Sequence, residues 1–325
     1  MKTKALITGI GGQDGSYLAE FLLENNYDVY GILPRRSTPE TQTLRLEDII
    51  NKIHLEYGDV TDLASIYRIM NMVKPEEIYH LAAQSHVQIS FTEPINTTVV
   101  DAIGTLNMLE ATSEFVPDAR FYNAASSEIF GNTPDYPITE DSRMIPVSPY
   151  ASAKLYAYHL TKIYRVSKKL FAVNGIFFNH ESPKRGLNFV TAKVVKGALD
   201  IKYGIKKELI LGDLDSTRDW GHARDFVRGM WMMMQHTVPD DFILATGKEF
   251  SVRNLCEMVF DKLDLGSYTS FVKTDPRYIR PYELSHLRGM ADKAKKILNW
   301  EPVYSFEEMI EEMIQYLKNK FYPEK

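Results

Sequence analysis

Seven residues near the N-terminus restrict this chain more than any others. Gly9-Ile10-Gly11-Gly12-Gln13-Asp14-Gly15 follows the apolar run Lys4-Ala5-Leu6-Ile7-Thr8 and precedes Tyr17, Leu18, Phe21 and Leu22, which recur at helical spacing. The pattern predicts a strand, a tight turn and a helix, with G-x-x-G-x-x-G at Gly9, Gly12 and Gly15. Glycine allows both the turn and the close approach of backbone to a pyrophosphate, whose charge the amides of a helix N-terminus then meet. A glycine triplet alone is a weak signal. Placed between strand and helix, with Gln13 and Asp14 beside it, it reads as a dinucleotide-binding turn.

Such a turn requires a parallel sheet, and the following residues supply one. Asp28 to Leu33, His54 to Tyr57, Glu77 to Leu81 and the run from Phe121 read as strands, separated by helical patterns such as Ala102 to Thr112. Regular alternation with short loops implies an α/β fold with a doubly wound parallel sheet and its ligand at the strands' carboxyl ends. The second strand ends in Pro34-Arg35-Arg36, with no acid after Asp28 to hold a ribose diol, and Asp28 stands at the wrong end of the strand. Two guanidiniums there favour the 2′-phosphate of NADP. Asp59 and Val60 fall where an adenine edge is met. Leu81, Ala83 and Ser85 fall where the chain passes beneath the cofactor, Ser85 also within reach of a substrate.

The 325 residues suffice for two lobes. Residues 1–178 are expected to form the dinucleotide domain. Residues 179–325 are expected to form a smaller C-terminal α/β substrate lobe, with some segments returning to the first. A formal charge of −5 with scattered Lys and Arg gives no sign of nucleic-acid binding. Cys256, the single cysteine, excludes an internal disulfide. The run Met230-Trp231-Met232-Met233-Met234 is far too short to span a membrane and reads as a buried helix face. A cytoplasmic globular protein is the expectation.

Chemistry concentrates between Arg120 and Lys154. Ser126 and Glu128 close the strand that begins near Phe121, and Ser148-Pro149-Tyr150 opens a helix on which Lys154 lies one turn beyond Tyr150. A tyrosine acting as a base near neutrality needs its pKa lowered by about 3 units, or ~4 kcal/mol in favour of tyrosinate. Lys154, the helix dipole and the positive charge of an oxidised nicotinamide are expected to supply this together.

The glycine turn with Tyr150 and Lys154 resembles the extended short-chain dehydrogenase/reductases, which act on nucleotide sugars. Longer strings narrow the resemblance to the GDP-mannose 4,6-dehydratases: Gly9 to Glu20, Ser126-Ser127-Glu128-Ile129-Phe130-Gly131, Asn174 to Gly186, and Arg218-Asp219-Trp220-Gly221-His222-Ala223. The similarity runs from about Ala5 to Glu308. It implies a Rossmann-type fold, NADP as cofactor, GDP-mannose as substrate, and Ser126, Glu128, Tyr150 and Lys154 as the catalytic set. Tyr150 would take the proton from the hydroxyl on sugar carbon 4, and Glu128 the proton from carbon 5. Water would leave carbon 6 with help from Ser126, and an internal hydride cycle would restore the cofactor. Glu128 separates this from simple epimerisation. A nucleotide-sugar epimerase or decarboxylase using the same Tyr-Lys pair, and a dehydratase of a related GDP-sugar such as a GDP-manno-heptose, stay open.

By the same resemblance, Asn179 and Lys193 face the diphosphate of the sugar nucleotide, and His180 and Arg185 face NADP. Arg218 and Arg280 suit phosphate, and Glu283 suits a ribose diol. Asp225 and Arg228 read as a structural pair. Asp219 and His222 lack a convergent third ligand, so no metal is expected. Second-lobe helices are expected over Asn254 to Leu263 and Phe306 to Leu317. Arg185 and the loop from Arg36 to Leu46 correspond to parts through which the family assembles, implying a homodimer or homotetramer. The chain departs from the family pattern at Gly11, Asn96, Ser126 and Asp213, at an inserted Pro34, and by lacking an insertion between Phe271 and Arg280.

Overall fold

The strands read from the sequence pair side by side. In the computed structural model, which describes every residue except Met1, Thr38, Pro39, Arg280, Pro281, Glu283, Ser285, Glu324 and Lys325, they form one parallel sheet. It contains β1 (Lys4–Thr8), β2 (Asp28–Leu33), β3 (His54–Tyr57), β4 (Glu77–His80), β5 (Arg120–Ser126) and β6 (Phe171–Phe177), with Asp241–Leu244 outside β6. The order is Asp241–Leu244, β6, β5, β4, β1, β2, β3, and every pairing is parallel. Leu6, Ile7, Ile78, Tyr79, Phe121 and Tyr122 are completely buried, because helices cover both faces of the sheet. The winding reverses between β1 and β4, which opens a crevice at their carboxyl ends. This is a Rossmann-type fold.

Element ends depart from expectation by a few residues. β4 stops at His80, and the helix expected at Ala102 is Gly104–Phe115, entered through a π-helical turn, Val99–Ile103. The helix carrying Tyr150 and Lys154 spans Pro149–Ser167; the Ser148 hydroxyl accepts from the Ala151 amide at 3.0 Å and Pro149 opens its first turn.

Beyond β6 the chain alternates between two cores. The helix Ala223–Gln235 and the strand Asp241–Leu244 return to the sheet, where Met230, Met233 and Met234 are buried beside Phe226 and Trp300. Helices Val190–Lys202, Val252–Lys262 and Phe306–Phe321 build a second core around Val195, Leu199, Leu255, Phe260, Met309 and Met313. Two of these helices start at reciprocal caps, Ser251 with Asn254 and Ser305 with Glu308. Asp225 meets Arg228 at 3.3 Å and also accepts the Val303 and Tyr304 amides, tying the two cores together.

Asp219 accepts the Thr246 and Gly247 amides, each at 2.9 Å, and His222 bonds to Glu312 at 2.7 Å. Both are committed to the scaffold, and among the described residues no cluster could hold a metal ion. No described helix is long and apolar enough to cross a membrane.

Candidate active site

The glycine turn fits its motif atom by atom. Gly9 has φ +71°, and a Cβ there would lie 2.9 Å from the Ala82 amide nitrogen. The Gly12 amide donates to the Gly9 carbonyl at 2.9 Å. A Cβ at Gly15 would meet that carbonyl at 2.4 Å, and one at Gly11 would lie 2.2 Å from the Gln42 carbonyl. The helix that follows, α1 (Gln13–Glu24), has Gly12 as its N-cap and no side-chain cap, so its first amides are left for an anion.

A cleft of about 1400 Å³ lies along the strands' carboxyl ends, and every described residue expected to act in the site lines it. Arg280 and Glu283 fall outside the described residues. Arg35 lies 5.7 Å from the Tyr57 ring and, with Arg36, lines the cleft after β2. The Asp59 carboxylate accepts the Thr61 amide and hydroxyl at 2.9 and 2.7 Å, and Val60 beside it is buried. Leu81, Ala83 and Ser85 form the wall beneath.

At the centre, the Ser126 hydroxyl ends β5 and accepts the Glu128 amide at 3.3 Å. That bond caps a short 3-10 turn, Ser127–Phe130, so Glu128 stands on this turn rather than on the strand. Lys154 Nζ donates to the Ala124 carbonyl at 3.0 Å and lies 5.9 Å from the Tyr150 ring centroid.

The expected lowering of the Tyr150 pKa is not met by the protein's own groups. Burial pushes its hydroxyl well above the usual tyrosine range, and the Asp101 charge adds to this. A Ser126 hydrogen bond opposes it, the Glu128 charge adds to it, and the Arg185 charge opposes it. Burial also lowers the Lys154 ammonium, with Asp101 opposing. Burial, with the Asp101 and Glu128 charges, outweighs the Ser126 hydrogen bond and the Arg185 charge, so the protein's own groups hold Tyr150 as a neutral phenol.

Gln13, Asp14 and His180, all expected beside the cofactor, are bonded to one another. Asp14 Oδ2 meets His180 Nε2 at 2.8 Å, Gln13 Nε2 donates to the His180 carbonyl at 3.1 Å, and the Ser182 hydroxyl donates to Gln13 Oε1 at 2.7 Å. They clamp α1 to the strand Asn179–Glu181, with His180 stacked 4.5 Å from the Phe226 ring. Burial acts to raise the Asp14 carboxyl, but the His180 charge and hydrogen bond outweigh it and hold it below its ordinary 3.8. Burial acts to lower His180, and Asp14 outweighs it and raises the imidazole above 6.5. The raised His180 stabilises the fold below its unfolded pKa, a gain lost as pH rises through the folded value; the depressed Asp14 stabilises it above 3.8, a gain lost on acidification. The pair therefore contributes most between about pH 4 and 6.5. Asp14→Asn should lower the melting temperature most in that window, with the difference narrowing above it. A constant difference from pH 5 to 9 would contradict the coupling.

Toward the second core, Arg218 donates to the Thr217 and Leu284 carbonyls at 2.8 and 2.9 Å, which fixes its guanidinium in the wall. Lys193 lies 4.2 Å from the Tyr278 ring, its pKa lowered by burial and then by Lys206. Asn179 Oδ1 is buried with no hydrogen-bond partner among the described residues, an acceptor free to meet a ligand donor. Arg185 lies 3.0 Å from Glu181 and 3.6 Å from the Phe189 ring, and Arg45 donates to the Lys184 and Gly11 carbonyls at 2.7 and 3.2 Å. Both arginines from the expected assembly regions thus make contacts within this chain. A glycine cradle, an uncapped helix N-terminus and two arginines after β2 fit a phosphorylated dinucleotide.

A model of the family described as GDP-mannose 4,6 dehydratase matches residues 6–313. The chain belongs to the GDP-mannose 4,6-dehydratase family. It is 44% identical over 337 residues to the GDP-mannose 4,6 dehydratase of Drosophila melanogaster, covering 96% of this chain and 85% of that relative. It is also 44% identical over 336 residues to the GDP-mannose 4,6 dehydratase of Homo sapiens, covering 95% and 90%. Among solved structures, the dTDP-glucose 4,6-dehydratase of Bacillus anthracis in complex with NAD matches with a TM-score of 0.85 at 20% identity, covering 98% of each chain, which shows the shared fold.

Two features of this GDP-mannose 4,6-dehydratase family member, Arg45 and Asp101, escaped the sequence reading, and a third, Asp213, entered it only as a departure from the family pattern. Arg45 braces the glycine turn from a loop with no periodic pattern. Asp213 lines the cleft with its carboxylate turned back onto the Asp215 and Ser216 amides at 3.0 and 3.1 Å. Asp101 is completely buried, and its charge acts on both Lys154 and Tyr150. An acid within the apolar run Val99-Val100-Asp101-Ala102-Ile103 was the available signal for it.

Proposed function

We propose that the protein is an NADP-dependent GDP-mannose 4,6-dehydratase, converting GDP-mannose to GDP-4-keto-6-deoxy-mannose. The observation that carries this is the meeting of Ser126 and Glu128 with Tyr150 and Lys154 in one cleft, opposite the glycine turn, in a chain of this family. Bound NADP, held by the glycine turn, Arg35 and Arg36, would supply the hydride acceptor and donor of a cycle with no net oxidation. Tyr150 takes the proton from the hydroxyl on carbon 4. The resulting ketone acidifies the proton on carbon 5, which Glu128 removes as general base and passes to the departing hydroxyl on carbon 6. As the hydride returns to carbon 6, carbon 5 takes up a solvent-derived proton, so that only water is lost. Ser126, bonded to the turn that carries Glu128, steadies the reacting hydroxyls. Lys193 and Arg218, with the Asn179 amide nitrogen, receive the diphosphate side of the sugar nucleotide, leaving the Asn179 Oδ1 for a ligand donor.

Incubation with GDP-mannose and a catalytic amount of NADP should give a product lighter by one water and carrying a 4-ketone. Unchanged GDP-mannose would overturn the assignment. The arginine pair makes cofactor choice testable as well. Arg35→Ala should weaken NADPH binding by roughly 10- to 100-fold, the loss of one charge-assisted bond, while NADH binding changes little; equal losses for both would remove the 2′-phosphate role. Assembly as a homodimer or homotetramer belongs to the same reading, and light scattering of the eluting protein reads it directly.

A further inference from the structure

Asp101 sits on the π-helical turn Val99–Ile103 with no exposed surface. Such turns insert one extra residue into a helix and occur mostly at functional positions. Its Oδ1 accepts the Gln84 amide at 2.7 Å, on the loop that follows β4 beneath the cofactor position. Its Oδ2 is buried and has no hydrogen-bond partner among the described residues. A carboxylate oxygen in that state is costly unless a cation offsets it.

The surrounding elements offer one such cation. The Pro149–Ser167 helix presents Lys154 and Tyr150, both electrostatically coupled to Asp101. β4 presents His80, bonded on both ring nitrogens, to Thr8 at 2.9 Å and Thr105 at 3.1 Å. Burial, and then the Lys154 charge, lower His80 to about 3, so it is neutral. The Gln84 loop contributes backbone only, and Thr105 turns its hydroxyl to the Asp101 carbonyl at 2.7 Å. Lys154 uses one donor on Ala124 and has further N–H donors to offer.

We infer that Asp101 is a positioning residue for the oxidising pair: a buried counter-charge that keeps Lys154 protonated and oriented behind Tyr150 while anchoring the loop beneath the cofactor. The charge and the anchor are separable. Burial drives Lys154 toward its neutral form and Asp101 opposes this, so loss of the carboxylate charge lets Lys154 deprotonate at lower pH. Asp101 is itself pushed up to about 6 by burial, with Lys154 and the Gln84 amide pulling it down, so it is ionised at neutrality.

Asp101→Asn keeps an acceptor for the Gln84 amide and removes only the charge. Resting on the dehydratase reading above, kcat for GDP-mannose should fall about tenfold or more above neutrality, with its alkaline limb moved down by about one pH unit. NADPH affinity and melting temperature should stay near wild type. An unmoved alkaline limb overturns the inference, as does a loss confined to NADPH affinity and melting temperature, which would mark a merely structural tie. A second measurement needs neither turnover nor the Asp101 variant. Infrared titration of buried carboxyl bands in wild type and Lys154→Met should show one band whose protonation moves to higher pH when Lys154 is removed. Asp219 and Glu140, also raised by burial but not facing Lys154, are internal references. No moving band overturns the inference, whichever sugar nucleotide proves to be the substrate.

Discussion

Glu128→Gln is expected to lower dehydration by about 10²- to 10⁴-fold while NADPH binds as in wild type. The size of the effect follows from placement. Glu128 is nine-tenths buried on a turn capped by Ser126, and the amide replacing it has the same shape and can keep the turn. It cannot accept the carbon-5 proton or deliver one to carbon 6. The oxidising pair, Tyr150 and Lys154, is untouched, so the variant should stall after the first step. In deuterated water the wild-type product should carry deuterium on carbon 5, and GDP-mannose recovered from the variant should carry none there. Full turnover by Glu128→Gln would remove this residue from the mechanism.

Gly15→Ala is expected to destabilise the fold by about 1–3 kcal/mol, the usual range for forcing a methyl into a packed interior. It should also weaken NADPH by at least roughly tenfold, since a loss of about 1.4 kcal/mol in the turn's fit already gives that. The added Cβ would lie 2.4 Å from the Gly9 carbonyl and 2.6 Å from the Ile10 Cα. Both are backbone atoms, so no side chain can swing away; the turn itself has to open. Thermal melting with and without NADPH separates the two effects, and an unchanged cofactor-induced rise in melting temperature would show that the turn is not the dinucleotide site.

Most of the sheet was legible in advance because its central strands are buried on both faces and read as short apolar runs between glycine and polar turns; the edge strand Asp241–Leu244 was not read. The Pro149–Ser167 helix was legible from Ser148 and Pro149, whose chemistry is local. Features that depend on distant partners were not. Asp14 and His180 lie 166 residues apart, so each read separately as a cofactor contact and neither as half of a clamp. The burial that raises Tyr150 in the protein alone was missed for a related reason: Lys154 is visible at a spacing of four, but burial depends on the whole fold. Asp101 combined both difficulties, being an acid on an irregular turn whose partners come from the β4 loop and a later helix.

The strand Asp241–Leu244 has a consequence for how the molecule is made. It completes the sheet beside β6, yet it emerges from the ribosome more than sixty residues after β6 does. Until then β6 is a bare edge with Ile176 and Phe177 uncovered, a surface on which nascent chains pair with one another. A fragment ending after β6 would carry that edge permanently. The sheet of the nucleotide-binding half is therefore completed only after the first helix of the second core, Val190–Lys202, has been synthesised, and before its other two helices are.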